Sequence, residues 1–162
     1  DLTEATAALR GARQTTDLPV IVSMTFDKNA AGYATMMGVT PTRAAEELDR
    51  AGADIIGTNC GSGIKNAIEI VSEMRGATDR PLWGKPNAGL PEVVDGRTVF
   101  REPPEEMVTS FPLLAEAGAH IIGGCCGTTP EHIALFSSAR TNLMMTVNSL
   151  LQNFAPGQNE TG

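Results

Sequence analysis

The chain has 162 residues, 41% of them apolar and 19% charged, with a net charge of −7. That length suits one domain with a real core, and the acidic balance, with no Lys/Arg cluster to offset it, argues against a nucleic-acid partner. No apolar run reaches the roughly 18 residues that cross a bilayer and no signal peptide opens the chain, so neither a membrane nor secretion is expected.

Helical and strand patterns alternate along the chain. It begins at Asp1, already inside a helical pattern, and so reads as part of a longer protein. Ala and Leu at helical spacing predict a helix from Leu2 to about Gln14, and the β-branched run Val20–Phe26 predicts a strand. The segment from Asp27 to Val39, with Gly and Asn breakers, reads as a long loop. Thr40-Pro41 offers an N-cap and a first-turn proline for a helix ending at Gly52. A strand at Ile55-Ile56 follows, then a helix from Ile64 to Met74 closed by Gly76. Pro81 to Asn87 reads as a short strand running into a polar turn. Glu92 to Phe100 reads as a hairpin around Asp95-Gly96. Pro103 starts a helix expected to run to Gly118, a strand at Ile121-Ile122 follows, and Thr129-Pro130 starts the next helix. After Arg140, Leu143, Val147, Leu150, Leu151 and Phe154 form one amphipathic stripe, with a polar tail from Pro156.

Two of these stretches are near copies. Ala51–Gly61 and Ala117–Gly127 agree at eight of eleven positions, and all three cysteines lie at their ends. Strand–helix units in succession imply parallel pairing with right-handed crossovers. Four such units are half of a (β/α)8 barrel, which typically needs about 250 residues. The expected fold is therefore α/β, the C-terminal half of a TIM-type barrel over residues 1–141. Residues 142–162 would form an amphipathic helix and a polar tail or linker. The offset between the copies equals two βα units, which puts the thiols on alternate strands at the end where barrel chemistry gathers. Such a half-barrel should also expose two strand edges and a Val/Ile-rich interior.

Cys60, Cys125 and Cys126 are odd in number and lack the spacing of a secreted disulfide framework, which favours a reducing cytoplasm. Three thiolates with a fourth position left open are what a reactive zinc site needs. The glycines around Cys125-Cys126 would let both sulfurs turn to one metal. Against this stand two plainer readings: small buried hydrophobes, or a vicinal Cys125–Cys126 disulfide. Asn87 ends the strand between the two cysteine strands, and its amide oxygen could serve as a weak, displaceable ligand. His120 and His132 read as surface or packing residues.

Asn59-Cys60, Pro86-Asn87-Ala88-Gly89 and Gly123-Gly124-Cys125-Cys126-Gly127-Thr128-Thr129-Pro130-Glu131-His132 together resemble the homocysteine S-methyltransferase domain, above all the homocysteine-binding barrel of the cobalamin-dependent methionine synthases. The resemblance runs from Asp1 to about Arg140. It implies zinc held by Cys60, Cys125 and Cys126, with Asn87 as fourth ligand when substrate is absent. It also implies a methyltransferase of methionine biosynthesis that activates the homocysteine thiol as a zinc thiolate for attack on a methyl donor, which could be methylcobalamin on a corrinoid protein or another domain. The first four βα units of that family are absent here, so the isolated chain is expected to be inactive without an N-terminal barrel half. Two other readings remain: a non-catalytic zinc-binding half-barrel that assembles with a separate half, and an unrelated barrel lyase with incidental cysteines.

Overall fold

The computed structural model describes residues 1–153 and, past Asn142, only the side chain of Met144. In chain order the elements are α1 (Leu2–Arg13), β1 (Ile21–Met24), β2 (Asp27–Asn29), β3 (Gly32–Ala34), α2 (Pro41–Arg50), β4 (Ile55–Cys60) and α3 (Ile64–Arg75). Then come β5 (Leu82–Pro86), β6 (Glu92–Val94), β7 (Arg97–Val99), α4 (Pro104–Met107), α5 (Phe111–Glu116), β8 (Ala119–Ile122) and α6 (Pro130–Asn153). Helix starts follow local chemistry. Asp1 Oδ1 accepts from Thr3 N at 2.7 Å at the head of α1, and Thr40 Oγ1 accepts from Arg43 N at 3.2 Å ahead of Pro41.

β1, β4, β5 and β8 form one parallel sheet in that order, each strand followed by a helix. Spatial order equals chain order, as in an unrolled half of a (β/α)8 barrel. Gly52 and Gly118, with φ of 91° and 112°, make the two equivalent turns into β4 and β8. β5 lies between them, so the two copies of the repeat do sit on alternate strands.

The core fills the space between one sheet face and the helices. Ile56 and Leu82 are fully buried there, with Leu48 from α2, Ile64, Val71 and Met74 from α3, and Leu114 from α5. Gly84 lies on that face because a Cβ would press on Leu114 at 3.1 Å. The opposite, inner face is more polar than the expected Val/Ile-rich interior. Alternation and strand register place Ser23, Gly57 and Trp83 in one row there, and Asn59 with Lys85 in the next. Ile21 and Ile121, at 40% and 39% exposure, are the apolar residues this face leaves open.

Three elements depart from expectation. The Asp27–Val39 segment holds a hairpin, β2–β3: Asn29 Oδ1 accepts from Ala31 N at 2.8 Å, Gly32 takes φ of 119°, and Tyr33 is buried. The helix expected from Pro103 to Gly118 is broken into α4, a 3₁₀ turn at Val108–Ser110, and α5. Pro112 has no N–H to continue the ladder. α6 runs unbroken from Pro130 through residues 141 and 142, so no helix starts after Arg140. The amphipathic stripe rests on Leu143, Val147, Leu150, Leu151 and Phe154, and it lies, with the polar tail, outside the described side chains and residues. The β6–β7 hairpin around Asp95-Gly96 forms as read.

Candidate metal centre

The first thiol leaves its strand through an unusual backbone turn. Cys60 ends β4 with φ of 59°, a region that residues with a Cβ rarely occupy, and Gly61 follows at 70°. The second loop is held by β5: Cys125 N donates to Pro86 O at 2.8 Å and Ala88 N to Cys126 O at 2.9 Å. Within it, Thr128 Oγ1 donates to Cys125 O at 2.7 Å. A Cβ at Gly124 would strike the Thr128 side chain, and one at Gly127, where φ is 79°, would strike the Phe100 ring. These are the two places where the Gly-rich motif requires glycine.

The result is a three-sulfur cluster. Cys60 Sγ lies 3.1 Å from Cys125 Sγ, which lies 3.9 Å from Cys126 Sγ, and all three fall within 4.8 Å of one another. All three thiols are free; Cys126 is exposed and the others are half-buried. Four ligands at the usual Zn–S length of about 2.3 Å sit about 3.8 Å apart around a tetrahedral ion. The sulfur separations therefore need to change by about 1 Å or less to hold one, and soft thiolates suit zinc.

Burial, and then the hydrogen bond with Cys125, push the Cys60 thiol up, while the Asn59 amide pulls it down. Burial also works against the Cys125 thiolate. Hydrogen bonds from Cys60 and Cys126 and the charge of Lys85 outweigh it, leaving Cys125 below its ordinary value.

Asn87 is buried at 6% exposure, between the two thiol loops. Its Nδ2 donates to Gly61 O at 2.9 Å and its Oδ1 accepts from Cys126 N at 3.0 Å. The structure so brings together all four residues singled out from the sequence, Asn87 as a bridge between the loops. His132 is a buried packing residue at 3% exposure, its Nδ1 accepting from Thr129 N at 3.0 Å and its Nε2 3.1 Å from Glu102 O. His120 is exposed at the far end of β8, where its Nδ1 accepts from Leu82 N at 3.4 Å.

Three contributors were given no role of their own by the sequence reading. Asn59 contacts Cys60 directly. Glu102, whose carboxyl burial pushes up, packs on Gly63 and accepts from Ile64 N at 3.5 Å, just after the Cys60 loop. Phe100 packs on Gly127. For Asn59 a signal existed: in the repeat, the position holding Cys125 in one copy holds Asn59 in the other.

The chain is thus a half (β/α)8 barrel with three convergent thiols at the carboxyl ends of its strands, a set that could hold a metal ion. The homocysteine S-methyltransferase family model matches residues 1–139, and the chain belongs to that family. It is 30% identical over 145 residues to a methionine synthase of Mycobacterium leprae, and 29% identical over 149 residues to that of Mycobacterium tuberculosis. Those alignments cover 86% and 88% of this chain but 12% of each relative, so the chain spans about an eighth of their length. Among solved structures, the homocysteine methyltransferase MmuM of Escherichia coli in its apo form superposes with a TM-score of 0.66 at 22% identity, covering 86% of this chain and 46% of that one. Its metallated form matches with the same TM-score. The half-barrel fold is common to both.

Proposed function

We propose that the chain is the zinc-binding half of a homocysteine methyltransferase barrel, forming methionine from homocysteine and a methyl donor. The observation that carries the reading is the sulfur cluster: three thiols within reach of one tetrahedral ion leave a single position for a fourth ligand. Cys60, Cys125 and Cys126 would hold zinc, and zinc so held would keep a substrate thiol deprotonated at neutral pH. Asn87 Oδ1 has a second lone pair beside the one used by Cys126 N, and we assign it as the weak fourth ligand in the absence of substrate. The β5 end then holds both thiol loops around the incoming sulfur.

Family membership supports homocysteine as the substrate. The names of the mycobacterial relatives support methionine as product. Methylcobalamin on another domain or protein could be the methyl donor. The other barrel half would supply the remaining substrate contacts, with residues 1–141 as this half and 142–162 as the connection onward. The two open sheet edges favour a second reading, a zinc-binding half-barrel without activity of its own.

X-ray absorption tests the first reading. Zinc should bind at about one per chain with three sulfurs around it, and homocysteine should raise the sulfur count to about four with release of close to one proton. Full zinc in the Cys125→Ser/Cys126→Ser double variant, or a sulfur count that stays at three under saturating homocysteine, overturns it.

A further inference from the structure

A site that methylates a metal-bound substrate sulfur also exposes its own metal-bound sulfurs to the same electrophile. Thiolates remain nucleophilic on zinc, so three protein sulfurs compete with one substrate sulfur. Something must make the protein sulfurs poorer nucleophiles. At Cys60 the structure supplies a specific donor.

Asn59 lies on the inner face of β4, half-buried, and its whole amide is engaged. Ser23 Oγ lies 2.7 Å from Asn59 Oδ1, and Asn59 Nδ2 lies 3.2 Å from both Thr25 Oγ1 and Cys60 Sγ. A thiolate sulfur can only accept, so the amide must turn its N–H to Cys60, and the Ser23 hydroxyl then donates to the oxygen. Ser23 of β1 and Thr25 just past its end thus lock the orientation of an amide on β4. The three sulfurs are treated unequally. Cys60 accepts a side-chain N–H, Cys125 meets sulfur on both sides, at 3.1 Å from Cys60 Sγ and 3.9 Å from Cys126 Sγ, and Cys126 is exposed.

We propose that Asn59, oriented by Ser23, is a positioning residue that protects Cys60 from methylation by donating its amide N–H to the metal-bound sulfur. The hydrogen bond draws charge from the lone pair that would attack, as outer-shell donors do at metal sites generally. The proposal rests on the reading of the cluster as a zinc site.

Methyl iodide probes it on the zinc-loaded full chain, with no need for the natural donor. In the reaction probed, the sulfur lone pair forms an S–CH3 bond, the C–I bond breaks, and iodide leaves; no proton is released because the sulfur is already a thiolate. Peptide mass mapping gives a methylation rate for each cysteine. The expected order in the parent chain is Cys126 fastest and Cys60 slowest. Asn59→Leu, which keeps the volume but removes the donor, should speed methylation of Cys60 by about tenfold, the factor matching a charge-assisted hydrogen bond. Cys125 and Cys126 should change little. Ser23→Ala, which frees the amide to rotate, should give a smaller rise at the same cysteine. An unchanged Cys60 rate in Asn59→Leu overturns the proposal, and so does a uniform rise at all three cysteines, which would mean a loosened site. If the parent chain takes up no zinc, the proposed function itself fails, and that outcome is read before any alkylation.

Discussion

Asn87 spends both ends of its amide on holding the thiol loops together, with Gly61 O on one side and Cys126 N on the other. Asn87→Ala would remove the partner of two part-buried backbone groups, which costs up to about 1–3 kcal/mol each, less where water replaces the bond. The expected outcome is a chain that still takes up about one zinc but loses it faster to a competing chelator and unfolds at lower urea. Metal stoichiometry unchanged together with unchanged release kinetics would show that the bridge is idle. Cys60→Ser should instead abolish zinc binding with only local disturbance of the fold, since Cys60 is half-buried at a loop and outside the packed core; metal analysis and a thermal melt check both parts. At this scale the sequence was most legible where a residue type is rare and repeated. Three cysteines at equivalent ends of a repeat point to one site. Asn59, Glu102 and His132 act through partners 30 to 39 positions away or through an amide orientation, and spacing along the chain carries no trace of that.

Between elements, the strap leaving β7 does for the loops what Asn87 does for the sulfurs. Glu102 N donates to Ala88 O at 3.1 Å, Glu102 O meets His132 Nε2, and Phe100 covers Gly127. One short segment so touches all three loops that carry the candidate ligands. Gly127→Ala must both hold a left-handed φ of 79° and displace the Phe100 ring, so it should cost about 1–3 kcal/mol and weaken zinc retention; calorimetry and chelator competition read the two effects. At the opposite end of the sheet, Asp49 ties the end of α2 to the segment after α3. The Thr78 hydroxyl, then the Arg80 guanidinium, holds its carboxyl below its ordinary value of 3.8. A depressed folded value means the contribution is fully present above that ordinary value and is lost as pH falls through the depressed one. Asp49→Asn should therefore lower stability by about 1 kcal/mol at pH 7, the difference shrinking once pH drops below about 4; urea melts across pH check the sign. The helices and parallel strands were readable because periodicity and capping residues agree. The β2–β3 hairpin was not, since its signal is an Asn29 side-chain turn and one buried tyrosine without apolar alternation. The break at Pro112 was visible as a residue but masked by the apolar spacing around it.

For the molecule as a whole, the sheet decides the behaviour. Parallel sheets are normally covered on both faces, and among the described residues helices cover only one. β1 and β8 end the sheet as unpaired edges, and Ile21 and Ile121 stand partly open on the bare inner face. On the helix side of the β8 edge, an apolar groove of about 280 Å³ runs between α5 and α6, lined by Phe111, Ile122, Ile133 and Phe136. Unpaired edges of this kind recruit other strands. The net charge of −7 opposes association but acts over only about 10 Å at ordinary ionic strength. The 162-residue chain should therefore self-associate at micromolar concentration, and more strongly as salt screens its charge. Sedimentation velocity at low and high salt measures both. A complementary barrel half added in trans should suppress the association by pairing with β1 and β8, and should raise the melting temperature, since a partner that binds only the folded chain stabilises it by mass action. A compact monomer with a sharp, salt-independent melt would mean that the four-stranded unit closes its own edges, and the half-barrel would then stand as a domain in its own right.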